Sequence, residues 1–497
     1  MKDSKNPETS SISYDVMTPA WQKVQTLLDG TKAMRAAGRT YMPQHHSESD
    51  DLYLERLQRC TLLNMTKLTL NNWVGRPFSK PIKFDDVAPV VEELFDDIDL
   101  LGNDIQVFCR DWFADGVAKA FSHCYVEFPR TDTGGVRTLE DDRVEGVRPH
   151  WIAMRPEQVF FVDVEVVNGA ERLREVRIME DVVERDGFAE FCQPQIRRVY
   201  VDPTGLVQVE LWRLADPHKP ERREWKVTDN YSISIPLIPL VTFYSHRAGL
   251  MLGTPPLEDL ADLNIAHWQS SSEQRAILTV TRFPILAGSG VSNIDKNMVI
   301  GPNRLLTTAD PAGRIYYVEH SGKSLEAGRL DLESLESSMA AYGAEYLKKK
   351  PNPTASARIL DNAEATSPLQ DMAMRFGHAV TQALEYTALW LRMESEAEVE
   401  VHTKFDDGNT DGNELTTLRE TRKMKDISRD AYLNELQRRG VLGESFDMED
   451  DALLLENEAL SMDPGPLLDP EQDPEQQQPD DEQQQAPVKE EADAGTD

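Results

Sequence analysis

The stretch from Thr254 to Leu391 constrains this chain most. It reads as a polar helix, a strand-rich insert, a second helix, a lysine-tipped connection and a long third helix. The first helix opens at Gly253-Thr254-Pro255-Pro256 and continues as LEDLADLNIAHWQSSSEQRAIL, roughly 38 Å at the helical rise. Its middle, Gln269 to Arg275, is too polar by composition to be expected in a core. The second helix runs from Leu325 to Lys350 and carries Leu325, Leu332, Leu335, Met339, Tyr342 and Tyr346. The last five recur at helical spacing and predict a narrow seam for a neighbouring helix, not a broad core face. A paired-helix stalk closed by a small β-cap suits subunits standing side by side around an opening better than it suits a self-contained enzyme.

With 497 residues, 40% of them hydrophobic, the chain can bury a large core and is expected to hold two to four domains. No run of apolar residues is long enough to span a membrane, so no membrane association is expected. The N-terminus has no apolar stretch behind its lysines, and a secretory signal is not expected. The four cysteines (Cys60, Cys109, Cys124, Cys192) stand apart without zinc spacing, which predicts reduced, partly buried thiols in a cytosolic setting. The formal charge is −34. Nineteen Asp or Glu against one Lys, Lys489, fall between Val441 and Asp497, so about half of the excess sits at the end of the chain. The body remains acidic, which disfavours a tight nucleic-acid grip built on a basic stripe. Loose passage of DNA through an acidic or neutral channel stays compatible with it.

The predicted class is α+β. The first twenty residues read as a polar, flexible lead. Trp21 to Ala37 reads as a helix, and Ser47-Glu48-Ser49-Asp50 as the capped start of a second that runs without interruption to Gly75. Helices are predicted at Val87–Phe95 and Asn103–Phe121, with His123 at the end of the latter, followed by a strand at Cys124–Phe128. Trp151 to Val227 reads as an antiparallel meander of five or six strands, with turns at Asn168-Gly169, Asp186-Gly187 and Pro203-Thr204-Gly205. A further strand is predicted at Leu240–Tyr244, and short strands over Phe283–Ser324. A long helix is placed from about Ala363 to Leu391, a return strand at Glu398–His402, and helices at Glu414–Lys425 and Arg429–Arg439. From Met462 the chain is Asp, Glu, Gln and Pro, too poor in apolar surface to order itself.

Catalytic signatures fail on inspection. Gly322-Lys323-Ser324 lacks the glycine of a phosphate loop, with Tyr317 in its place. Gly288-Ser289-Gly290 is not a nucleophile elbow. The ten histidines are scattered and form no H-E-x-x-H. Asp96-Asp97-Ile98-Asp99 reads as a solvated acidic helix end more readily than as a nuclease metal site. No enzyme activity, metal or cofactor is expected.

Several phrases, in their order, resemble the portal proteins of tailed bacteriophages. They are Ser47-Glu48-Ser49-Asp50 with LTLNNWVGRPFSKP, Ile238-Pro239-Leu240-Val241-Thr242-Phe243, GTPPLEDLADLNIAHWQSSSEQRAIL, Phe283-Pro284-Ile285-Leu286-Ala287-Gly288 and SLESSMAAYGAEYLKKK. The likeness covers roughly Trp21 to Leu391 and is nearest to a siphophage-type family long catalogued as a domain of unknown function. The resemblance implies a non-enzymatic homo-oligomer, usually a ring of twelve, at one capsid vertex of the virion, assembled in the host cytoplasm. It implies a conduit for packaging and ejecting double-stranded DNA without sequence preference. The implied partners are the terminase large subunit, a head-tail adaptor, and the major capsid and scaffolding proteins. Laid on this chain, the family's parts are a flexible lead (1–20), wing (21–250), first stem helix (251–282), clip (283–324) and second stem helix (325–347). There follow the tunnel loop (348–361), a long helix with the return strand of the wing (362–408), a helical crown (409–461) and the acidic tail (462–497).

Under that resemblance Lys348, Lys349 and Lys350, with Asn352 and Arg358, are candidates to face the bore and touch DNA phosphates. Twelve copies would supply a ring of roughly 36 lysine charges. The same lysines also suit the C-terminal end of a helix dipole, and the residues alone do not choose between the two roles. The other readings of the chain are a capsid scaffold or head-tail adaptor, and a DNA-processing packaging enzyme.

Overall fold

Alternating burial along two central strands organises the larger part of this molecule. The computed structural model describes residues 6–130, 145–215, 224–282, 285–289, 311–318, 323–345, 367–403, 405, 412–438, 441–442 and 446–461. It divides into two units, Met1–Phe405 and Asp406–Asp497. The class is mixed helix and sheet, as the sequence pattern predicts.

In the first unit, helices α1 (Ile12–Leu28), α2 (Thr31–Ala37), α3 (Asp50–Arg59) and α4 (Met65–Gly75) lead to the short strand β1 (Lys83–Asp85). After α5 (Pro89–Glu92) comes α6 (Ile105–Lys119), then strands β2 (Phe121–Glu127) and β3 (His150–Met154). Strands β4 (Val159–Val167), β5 (Ala170–Asp186), β6 (Ala189–Val201), β7 (Val207–Leu214) and β8 (Trp225–Ser232) form one antiparallel meander in sequence order. β9 (Leu240–Tyr244) returns to pair with β2, giving a three-stranded sheet of order β3-β2-β9.

Successive side chains of a strand point to opposite faces, and here the two faces serve two cores. Cys124, Val126, Val241 and Phe243 point into the main core with α6. Tyr125 and Leu240 point the other way, against Val176, Ile178, Val199 and Val209 of the meander. On the helix side the aromatic rings interlock: Phe243 stacks on Phe113 with centroids 5.4 Å apart and meets Phe376 edge-on at 5.0 Å. A half-buried ion network joins the two sheets. Arg197 of β6 pairs with Glu180 of β5 at 2.7 Å and with Glu127 of β2.

Several boundaries differ from the sequence reading. The helix predicted from Trp21 to Ala37 is two: α1 begins at Ile12, because Ser11 caps it and Met17, Trp21, Val24 and Leu27 fall on one buried face, and Gly30, at φ 82°, separates it from α2. The helix predicted to continue from Asp50 to Gly75 is two helices. The break at Cys60–Asn64 is held by long-range bonds: Arg35 Nη2 donates to the Cys60 carbonyl at 2.8 Å and Asn64 Nδ2 to the Leu27 carbonyl at 2.6 Å. Ser49 does cap α3, accepting from the Leu52 N–H. α6 ends at Lys119 on a left-handed Ala120, so His123 lies inside β2 and does not close the helix. The meander supplies five of the predicted strands, while β3 joins the other sheet.

Beyond β9 come α7 (Glu258–Thr281), the hairpin strands β10 (Ile285–Ser289) and β11 (Arg314–Val318), and α8 (Lys323–Glu345). α9 (Pro368–Trp390) starts at Ser367, not near Ala363. Ser367 and Gln370 form a reciprocal capping box there, which satisfies two N-terminal donors at once. β12 (Glu398–Glu400) then pairs with β1. The second unit contributes α10 (Gly412–Lys423), α11 (Arg429–Arg438) and α12 (Met448–Ser461). The acidic tail from Met462 lies outside the described residues.

Candidate functional site

The candidate site is the antiparallel pair α7 and α8 with the β10–β11 hairpin between them. α7 begins inside the main core. Leu257, Leu260, Ala261 and Trp268 recur at helical spacing on its buried face, and Asn264 sits on the same stripe with no exposure. Burying an amide there requires that its donors and acceptors be paired. Asn264 Oδ1 accepts from the Thr66 N–H at 3.1 Å and from its hydroxyl at 3.0 Å. Its Nδ2 donates to the Leu63 carbonyl at 2.8 Å. This side chain therefore bolts the start of α7 to the break between α3 and α4. The place of Asn264 on the Leu257–Leu260–Trp268 stripe is the signal in the sequence that marks it as inward-facing.

The polar middle of α7 stays out of the core except at Ser272, and its half-buried groups pack beside α3. Ser272 is buried and its Oγ accepts from Arg56 Nη1 at 3.3 Å. Gln269 Nε2 donates to the Tyr41 carbonyl at 2.9 Å, and Arg275 Nη1 to the Arg59 carbonyl at 2.9 Å. These groups satisfy backbone carbonyls and side chains beside α3, which is why polar residues recur on a helix packed against protein. Arg56 itself is held by Glu48 at 2.8 Å with both side chains nearly buried.

α8 is the opposite case. Met339 is its one fully buried side chain among the described residues, and Leu325, Leu332, Leu335 and Tyr342 are half-buried on the same line. Tyr346 lies outside the described residues. The remaining faces of α8 are open and charged, with Glu326, Arg329, Asp331, Glu333 and Glu336 all exposed. Contacts with α7 follow a steady antiparallel register. Tyr342 donates to the Pro256 carbonyl at 2.9 Å. His267 Nε2 lies 3.3 Å from Glu336 Oε1, Ser270 donates to Asp331 at 2.6 Å, and Gln274 donates to the Leu325 carbonyl at 2.9 Å. Gly328 permits the last contact, since a Cβ there would stand 2.1 Å from Gln274 Oε1. Trp73 of α4 donates to the Gly343 carbonyl at 3.0 Å and fixes the C-terminal part of α8 to the body. The pair is thus rooted where α7 begins and α8 ends.

The DNA-facing candidates Lys348, Lys349, Lys350, Asn352 and Arg358 lie outside the described residues, as does the predicted tunnel loop. Of the clip, the described part is the β10–β11 hairpin. Of the acidic run, Asp97 accepts from the Gly102 N–H at 2.8 Å and pairs with Arg148, while Asp99 accepts from the Leu101 N–H and from Asn103 Nδ2. These carboxylates tie a turn. Among the described residues no group of three or more His, Cys, Asp or Glu is placed to hold a metal ion. No helix among them is long and apolar enough to cross a membrane. His123 is fully enclosed, and burial drives its pKa down to about 3. It is a neutral core histidine whose Nδ1 meets Thr242 Oγ1 at 3.0 Å.

Comparison with known proteins adds the following. Residues 256–391, which contain α7, α8 and α9, match a family described as a domain of unknown function, DUF4055. No curated protein matches the chain. Among solved structures, a chain in the virion of a native gene transfer agent particle is 12% identical, with 86% of this chain and 99% of that one covered at a TM-score of 0.37. A chain in the neck of an empty gene transfer agent particle, computed with C6 symmetry, is 12% identical over 86% of this chain and 98% of its own, at 0.39. A third, in the neck of the native particle computed with C12 symmetry, is 12% identical over 79% and 89%, at 0.37.

Proposed function

We propose that this chain is the subunit of a phage-type portal ring, a non-enzymatic conduit for double-stranded DNA at one vertex of a capsid. The observation that carries this reading is the asymmetry of the paired helices. α7 is anchored by Asn264, Ser272 and Trp268, whereas α8 gives its own fold one thin apolar line and leaves its remaining faces open. An amphipathic helix finished within one subunit normally buries a wider stripe. A helix with a narrow seam and charged flanks fits a position where neighbours stand on either side and solvent fills a bore.

In this reading α7 and α8 form the stem and the hairpin between them belongs to the clip. Lys348, Lys349 and Lys350, with Asn352 and Arg358, would meet DNA phosphates weakly, as passage requires. Terminase, a head-tail adaptor, and the capsid and scaffolding proteins are the partners such a ring serves, and its place is the virion. Electron micrographs of the purified full-length chain should show rings of about twelve subunits with a centred hole. Shells, or closed discs without a hole, would favour a scaffold or adaptor instead. Replacing Lys348, Lys349 and Lys350 together by alanine should reduce DNA packaging and retention; unchanged packaging would remove their DNA role.

A further inference from the structure

Among its described residues the second unit has almost no buried core: Leu436 alone is buried, at 9% exposure. On α12, by contrast, Leu453, Leu454 and Leu455 are 58%, 63% and 46% exposed. Small helical units are marginally stable on their own core, and three exposed leucines in succession gain nothing on a solvated helix. Consecutive helical residues point about 100° apart, so these three sweep roughly 200° of the surface of α12. One flanking helix cannot cover such an arc. Coverage from two sides is needed.

Charge indicates what supplies it. Between Val441 and Ser461 the chain has seven carboxylates and no Lys or Arg, whereas Gly412 to Gly440 has seven Lys or Arg against five carboxylates. Arg429 of α11 pairs with Asp451 of α12 within the chain, and Lys423, Met424 and Lys425 are exposed where α10 ends. Two copies of α12 facing each other would set acid against acid. An α12 lying against the α10–α11 pair of another copy sets acid against base and covers the leucines.

We infer that α12 is an intersubunit helix: its leucine face docks on the α10–α11 pair of the adjacent copy of this chain, head to tail. The contact is heterologous, and a heterologous contact closes into a ring when its rotation allows. The inference goes beyond the portal reading, because it needs a second copy but no DNA, and it names a surface that the stem does not provide.

The test uses two full-length variants, both with the exposed Cys192 changed to serine. One carries Leu454→Cys and the other Lys423→Cys. They are mixed and treated with a short flexible bis-maleimide. Covalent dimers joining the two variants are expected, with few dimers of Leu454→Cys with itself. Self-linked Leu454→Cys dimers in place of mixed ones would overturn the head-to-tail contact. Rings that form but give no mixed dimer overturn this inference and leave the portal reading standing. Mixed dimers from an assembly that is not a ring would uphold the contact and overturn the portal reading. A chain that stays monomeric and unlinked overturns both.

Discussion

Replacing Asn264 by leucine tests whether α7 is bolted into the body through this buried amide. The two side chains are close in size, so little cavity is made and the change falls on hydrogen bonding. Asn264 is wholly buried and bonds the Thr66 N–H, the Thr66 hydroxyl and the Leu63 carbonyl. The hydroxyl can rotate to another acceptor and the Leu63 carbonyl keeps the bond it accepts from the Met65 N–H at 3.0 Å, but the buried Thr66 N–H loses its acceptor. A buried polar group left unpaired costs about 1–3 kcal/mol, and that is the expected loss. Domains are stable by only about 5–15 kcal/mol, so the effect is large. Urea unfolding of the full-length protein, followed by tryptophan fluorescence, should show the midpoint falling with little change in slope. Ser270→Ala is the matched comparison, since its bond to Asp331 is exposed; it should cost under about 1 kcal/mol. If Asn264→Leu costs no more than Ser270→Ala, α7 is not rooted through Asn264 and the division between anchored base and open flank fails.

Two further outcomes follow from the core. The pKa of His123 is pushed far below the ordinary imidazole value, so below about pH 6.5 the unfolded chain binds a proton that the fold excludes. Stability should then fall as pH drops from about 6.5 towards 3, with His123 contributing about 1.4 kcal/mol per pH unit; His123→Asn should unfold with a shallower dependence between pH 6.5 and 5, and an identical slope would refute the assignment. Gly253 stands just before α7, where a Cβ would meet the His246 carbonyl oxygen at 2.2 Å and the Ala120 Cβ at 2.7 Å. Gly253→Ala must move backbone and should lower stability by about 3 kcal/mol or more, whereas Gly75→Ala, with open space around it, should be near neutral in the same thermal melt.

Much of the fold could be read where local chemistry decides it. The Ser49 cap and the meander turns at Asn168-Gly169 and Gly187 follow from residue type and spacing. Elsewhere long-range contacts override local preference. Thr61-Leu62-Leu63 is compatible with helix, yet Arg35, Asn64 and the Thr31 hydroxyl hold it open between α3 and α4. The polar run Gln269 to Arg275 looks solvated in sequence because its partners, Tyr41, Arg56 and Arg59, lie some two hundred residues earlier. The start of α9 was legible in the Ser367-Pro368 pair with Gln370, a capping signature outweighed by the alanines before it. Lys348 to Lys350 fall outside the described residues, and their role rests on the resemblance and on charge.

The central claim is that α7 and α8 of each subunit stand around an opening in a closed multimer. A cryo-electron microscopy reconstruction of the assembled full-length protein locates them directly. Paired rods lining the central hole, with the exposed flank of α8 meeting the next subunit, is the predicted result. A monomer, or a ring whose paired rods lie at the outer rim, would contradict it.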